Sequence, residues 1–393
     1  MGISVHSRWG PPLEQYVFRY DKSSVRNREV LEDDIMSSAR QCMQSITTIS
    51  KEADDIVFDS LAKKVTLEML RCLFLLSHSG HGMLYLAQPS LVHGCIKLMK
   101  TVKKDGVVSP FGYEYGYLCF NVAKMALGVC LIEKFNRQNI CTLMERVWCN
   151  YQTKDNPSIL TELLSEIFLN ETATFSPGES RCDWIFGWSD PPAHGGHSGL
   201  IVAESDALDL MNVLWNDRKA FLKSLSSTYT PGVLIMNLPI WQRMLRNGLQ
   251  RELPVPPQVP LLGPFLDLSW RFALVAKPGD YGLILPMGIA AMYHLGKLTT
   301  SAVDAEDSRA IIRAYIEGIP IIKNTLLYHQ AGIGAYPHLP RFIVHNILPG
   351  TEDLFPTFIK TLLGRMWEMV LWEDVFGMIP PIAFISGGLD DLL

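Results

Sequence analysis

Lys97, Lys100, Lys103 and Lys104 recur at three- and four-residue spacing. If they lie on one helix they form a basic stripe opposite Ile96, Met99 and Val102. Such a stripe either docks an acidic or phosphate-bearing peptide or is simply a solvated face. Histidines offer a second chemistry. His78 and His81 are three apart, as are His194 and His197, and Cys182, Asp183 and Asp190 lie close to the latter pair in sequence. Imidazole with thiolate or carboxylate can hold a metal such as zinc. Gly80 and Gly82 disturb the helix that the first pair would need, and Gly195-Gly196 makes the second pair a loop feature. Cys182, His194 and His197 are therefore kept as metal candidates behind the expectation of no metal and no cofactor.

Nucleophilic catalysis finds little support. Gly196-His197-Ser198-Gly199 lacks the spacing of a nucleophile elbow, and no strand precedes it. The chain has no phosphate-cradling GxxxxGK[ST] loop and no His-Glu-x-x-His. Asp33-Asp34 and Asp54-Asp55 sit where helices begin, a position where carboxylates suit the helix dipole. Trp184 and Trp188 stand in a stretch rich in Gly and Pro. They read either as anchors of a partner-binding loop or as side chains filling a surface groove.

The elements that must position these residues are helical. With 393 residues and 48% apolar side chains, the chain can bury a sizeable core. Its 35 basic and 40 acidic residues give a net charge of −5, which argues against a nucleic-acid partner. The opening residues Met1 to Trp9 carry no apolar run, so no secretory signal is expected, and the cysteines read as reduced and buried. That points to an intracellular, most simply cytoplasmic, protein. The uncharged stretches Cys72–Ile96 and Tyr281–Gly296 are interrupted by histidine and proline, and no transmembrane segment is expected.

Apolar periodicity predicts helices over 26–51, 54–61, 65–77, 83–87, 89–104, 113–135, 140–151, 157–169, 205–225, 239–247, 264–276, 283–298, 305–317, 319–329, 340–347 and 352–372. Alternating strand patterns of useful length are scarce. The chain divides into an irregular arm (1–25), a helical region (26–170), a Gly/Pro/Trp-containing loop (171–202), a helical continuation (203–250), a Pro-rich connection (251–264) and a C-terminal helical region (265–393).

One region carries a family likeness. Leu70-Arg71-Cys72-Leu73-Phe74-Leu75-Leu76-Ser77 reads as the end of a third helix. Leu84, Leu86-Ala87-Gln88-Pro89-Ser90-Leu91-Val92, Cys95-Ile96-Lys97-Leu98-Met99 and Tyr117-Leu118-Cys119-Phe120-Asn121-Val122-Ala123 follow as a complete unit. This layout resembles the armadillo repeat, and the likeness covers residues 65–135. It implies stacked helices whose concave face binds an extended peptide through asparagines of the third helix. Asn121 matches that asparagine, whereas Leu75 stands at the corresponding place in the preceding unit. Beyond residue 170 no regular period continues.

The expected fold is all-α, an irregular armadillo- or HEAT-like α-α superhelix with a long central loop. Helical repeats bury their apolar faces against neighbours and leave grooves for partners. The leading expectation is a scaffold that binds a protein, peptide or helix, with Asn121, Lys97, Lys100, Lys103, Lys104, Trp184 and Trp188 as contact residues. The alternatives are an all-α enzyme with a site near 182–198 and a peripheral membrane protein using the apolar stretch Phe376–Ile385.

Overall fold

The structure, a computed structural model, describes residues 5–22, 31–135, 155–173, 183–189, 199–244, 246, 261–280, 283, 302–318 and 338–376. Within them the chain is helical, as its periodicity predicts. In chain order the helices are α1 (Leu13–Tyr16), α2 (Asp33–Lys51), α3 (Asp55–Lys64), α4 (Leu67–Leu75), α5 (Gly80–Leu84), α6 (Pro89–Met99) and α7 (Glu114–Phe135). They continue as α8 (Asn156–Ala173), α9 (Asp183–Phe186), α10 (Glu204–Asn216), α11 (Arg218–Ser227) and α12 (Asn237–Met244). The last four are α13 (Leu262–Val275), α14 (Ala305–Gly318), α15 (His338–His345) and α16 (Phe355–Phe376). The expected helices over 140–151 and 319–329, nearly all of that over 283–298, most of the Pro-rich connection and the tail from 377 lie outside the described residues.

Side chains short enough to bond the backbone start several helices. Asp54 accepts from the amides of Ile56 and Val57 at 2.8 and 3.1 Å, and Thr66 accepts from Met69 at 3.3 Å, as helix-capping residues do. Pro89 opens α6, where a missing N–H costs nothing.

The first half is built around α7. Helices α4 and α6 pack against it, α2 lies across both of them, and every residue of α7 from Glu114 to Ile132 is buried. Gly94 permits the approach of α6 to α2, because a Cβ there would lie 2.5 Å from Ile46 Cγ2. Among the described residues, α7 is the one helix long and apolar enough to cross a membrane, and its apolar stretch is enclosed by the fold. A helix that is apolar all round needs cover on every face. In the second half, α11, α13 and α14 pack against one another and α14 carries α16.

Several boundaries depart from expectation. The short helix expected over 83–87 spans Gly80–Leu84, because Ser79 caps the Gly82 amide and starts the helix ahead of both glycines. The helix expected over 89–104 ends at Met99. Asp105 (φ 52°) and Gly106 (φ 82°) then form a tight reversal. Such a left-handed pair suits a two-residue hairpin turn, and Lys103 and Lys104 pair with Val108 and Val107 in a small antiparallel hairpin. The helix expected over 205–225 breaks at Asp217, whose carboxylate is drawn out of the helical path by Ser109 Oγ at 2.7 Å and the Phe111 amide at 2.9 Å. The arm is more than irregular coil: Trp9, Leu13, Tyr16 and Val17 belong to the core.

Candidate functional surfaces and buried polar sites

The four lysines do not share one face. Lys97 Nζ donates to the carbonyls of Glu52 (2.7 Å), Ser50 (3.4 Å) and Ile49 (3.5 Å). It therefore caps the end of α2, where a cation suits the last carbonyls. Lys100 pairs with Asp209 on α10 at 2.8 Å, both about half exposed. A surface pair of this kind is worth about 0–1 kcal/mol. Lys103 and Lys104 sit on the hairpin beyond the helix end. The helical stripe is corrected to a structural cap, a surface ion pair and two hairpin positions, because the helix ends at Met99 and the chain reverses at Asp105-Gly106.

Asn121 lies inside the fold. It is 1% exposed and its amide donates to Tyr117 O at 3.0 Å. It therefore does not line an open concave surface in this structure. With Glu114, Tyr117 and Lys124 it forms a polar seam at three- and four-residue spacing along one side of α7. At one end of the seam, fully buried Glu114 accepts from Arg71 Nε (2.9 Å) and Nη2 (2.7 Å) and from the Tyr20 hydroxyl (2.6 Å). In the middle, the Tyr117 hydroxyl meets Thr230 Oγ1 at 3.2 Å. At the other end, Lys124 Nζ donates to Pro231 O at 2.7 Å. Burial disfavours its charged form and brings the ammonium down to about 8. Asp280 stands close enough to be felt by that charge. Burial pushes its carboxyl up to about 6, against the lowering effect of backbone amides and Lys124.

Trp184 and Trp188 are both half-buried and packed. Trp184 meets Phe135 edge-on at 5.9 Å. Trp188 lies against Phe186 at 5.2 Å and donates its indole N–H to Val202 O. The turn between them ends α9. Gly187 (φ 84°) donates to Trp184 O at 3.2 Å and Trp188 N to Asp183 O at 2.9 Å. This left-handed helix stop fixes both rings. Asp183 is held by Gln242 Nε2 at 2.7 Å.

Cys182, His194 and His197 lie outside the described residues. His78 is buried edge-on against Phe74 at 5.1 Å. Among the described residues, no group of His, Cys, Asp and Glu is placed to hold a metal. Cys42, Cys95 and Cys119 come together from α2, α6 and α7, with Cys72 of α4 near them. Burial raises the Cys42 and Cys119 thiols well above their ordinary range, which makes them poor nucleophiles.

Sequence reasoning missed two further polar sites. Arg271, Asp267 and Asp307 are all fully buried. Arg271 binds Asp307 through two bonds at 2.7 and 2.9 Å and Asp267 through Nε at 2.6 Å. These forked, charge-assisted bonds tie α13 to α14. The pair Asp267 and Arg271, four apart on an apolar helix, is a signal that the sequence did offer. The other site is Asp217, whose carboxyl burial pushes up to about 7 while Phe111 N and Ser109 pull it down.

Among the described residues, α16 leaves a row of large apolar side chains open. On α16, Phe358 (1% exposed) and Leu362 (8%) face inward, with Phe358 edge-on to Tyr315 at 5.5 Å. Ile359, Leu363 and Trp367, each four residues apart, are 40%, 54% and 64% exposed. Four-residue spacing puts them in one row.

Comparison with protein-family models, with curated proteins and with solved structures returned no match.

Proposed function

We propose that this chain is a protein-interaction scaffold, and that the partner presents an amphipathic helix to α16. The carrying observation is the exposed row Ile359–Leu363–Trp367. Helices α7 and α16 have the same length, and both are largely apolar without a single clean apolar stripe. The fold covers α7 from Glu114 to Ile132, whereas α16 keeps a row of large apolar side chains in water. Apolar surface of this kind is favourable to bury, at about 25 cal/mol per Å². From Ile359 to Trp367 the row rises about 12 Å along the helix axis. Such an i, i+4, i+8 ridge suits the groove of another helix, with a Leu or aromatic anchor between Leu363 and Trp367. Charge around the row is sparse, with exposed Lys360 beside it. An acidic residue flanking the partner's apolar face would complement that lysine. An intracellular setting belongs to the same proposal.

The test compares the wild-type chain with a Leu363→Glu/Trp367→Glu variant. Partners captured by the wild type are purified and rebound singly. The expected result is a 1:1 complex that the variant no longer forms while keeping the wild-type melting temperature. A partner that binds both chains equally refutes the assignment of this face.

A further inference from the structure

We propose that the trough between α4, the start of α7 and α11 is a binding groove for a short amphipathic segment anchored by aromatic side chains, and that residues 5–22 of this chain occupy it in cis. This deepens the scaffold reading by giving the chemistry of a second ligand. It concerns a different face from α16, so either can fail alone.

The arm behaves as a ligand does. Its anchors Trp9, Leu13, Tyr16 and Tyr20 recur at four-, three- and four-residue spacing, and the first three are almost wholly buried. Phe18, which falls outside that spacing, is 79% exposed. Trp9 meets Tyr115 edge-on at 5.1 Å. Tyr16 and Tyr20 both lie on Tyr117, at 5.2 and 4.8 Å, and Tyr20 also meets Phe74 at 5.8 Å. Each tyrosine then delivers its hydroxyl to a buried acceptor of the body: Tyr16 to Phe111 O at 2.8 Å, Tyr20 to Glu114 at 2.6 Å.

The backbone is read as well. The carbonyls of Trp9 and Pro11 accept from the amides of Tyr115 and Glu114, at 3.2 and 3.0 Å. These are first-turn donors of α7 that no helical carbonyl can satisfy. The arm's Tyr20 carbonyl accepts from Tyr229 N at 2.7 Å. The body thus offers backbone donors, aromatic faces and a buried carboxylate to a segment that crosses it, the combination by which grooves recognise peptides. The arm is joined to α2 through residues 23–30. A tethered segment meets its groove at an effective concentration on the order of millimolar, which keeps the groove closed to weaker competitors. A partner opens it by carrying the same anchor pattern at higher affinity, or by removing the arm.

The experiment uses the full chain carrying Leu13→Glu, which ejects the arm because the groove cannot hold an unpaired charge, with the milder Tyr16→Ala alongside. The probe is a fluorescein-labelled synthetic peptide of residues 5–22, read by anisotropy, with folding followed by circular dichroism. The expected result is saturable binding to both variants, little binding to the wild type at micromolar protein, and about tenfold weaker binding of a peptide carrying Tyr20→Phe. Three results overturn the proposal: folded variants that do not bind the peptide, equal binding to the wild type, or loss of cooperative unfolding in both variants, which would make the arm an inseparable part of the core.

Discussion

The Tyr20 hydroxyl donates to Glu114 Oε1 at 2.6 Å, so a residue of the N-terminal arm is bonded to the first residue of the most deeply buried helix. Arg71 neutralises the same carboxylate from α4 at 2.7 Å. A buried carboxylate bonded by a tyrosine and a guanidinium is costly to disturb, because the group left behind keeps its desolvation penalty. Tyr20→Phe should lower stability by about 1.5–3 kcal/mol, the range for a hydrogen bond to a charged group. Urea denaturation measures it, and an unchanged midpoint would show that this bond contributes nothing.

The Arg271 site gives a sharper contrast. Arg271→Met leaves Asp267 and Asp307 buried without their cation. Breaking a buried pair in this way should cost about 3–5 kcal/mol. Replacing all three with apolar residues, as in Arg271→Met/Asp267→Leu/Asp307→Leu, should recover most of that loss. A triple variant no more stable than the single one would mean that the triad contributes more than charge balance.

Asp217 makes stability depend on pH. Its folded value of about 7 stands above the ordinary 3.8, so the native state holds the proton more tightly than the unfolded chain does. The stability this contributes is full below the unfolded value and is lost as pH rises through the folded one. A displacement of this size is worth at most about 4 kcal/mol. The stability difference between wild type and Asp217→Asn should therefore move against the wild type as pH rises from the unfolded value to above the folded one. Parallel curves across that window would contradict it.

Gly94→Ala tests the packing of α2 on α6. The added Cβ would come within 2.5 Å of Ile46 Cγ2 and 2.6 Å of the Ile46 carbonyl oxygen. Backbone cannot give way as a side chain does, and overpacking of this kind costs about 1–3 kcal/mol. The melting temperature reads the loss.

Much of the helical fold was legible because its signals are local. Met43, Ile46 and Ile49 announce the buried face of α2 by spacing alone, and Thr66 announces the start of α4 through its own hydroxyl. Asp105-Gly106 offered a short-range turn signal, but the lysine periodicity running into it drew the expected helix through to residue 104 and hid the hairpin. What sequence could not supply was long-range. Lys97 caps carbonyls of a helix far back in the chain, a role that its neighbours do not reveal. Asn121 occupies the position that the armadillo resemblance gives to a groove asparagine. Helix α7 is apolar all round, so periodicity does not say which side of it is open, and here no side is. The open face of α16 was hidden for a related reason: its apolar side chains are spread around the helix, so spacing alone does not announce the side that the fold leaves bare.

We propose that the Ile359–Leu363–Trp367 row meets a partner. A photo-crosslinking residue placed at Leu363 and, as a control, at exposed Ser227, with irradiation of the protein in its native cells, reads this contact. A discrete adduct of defined mass from position 363, missing from the control, is the predicted result. The same faint background from both positions would mean that the row faces only solvent.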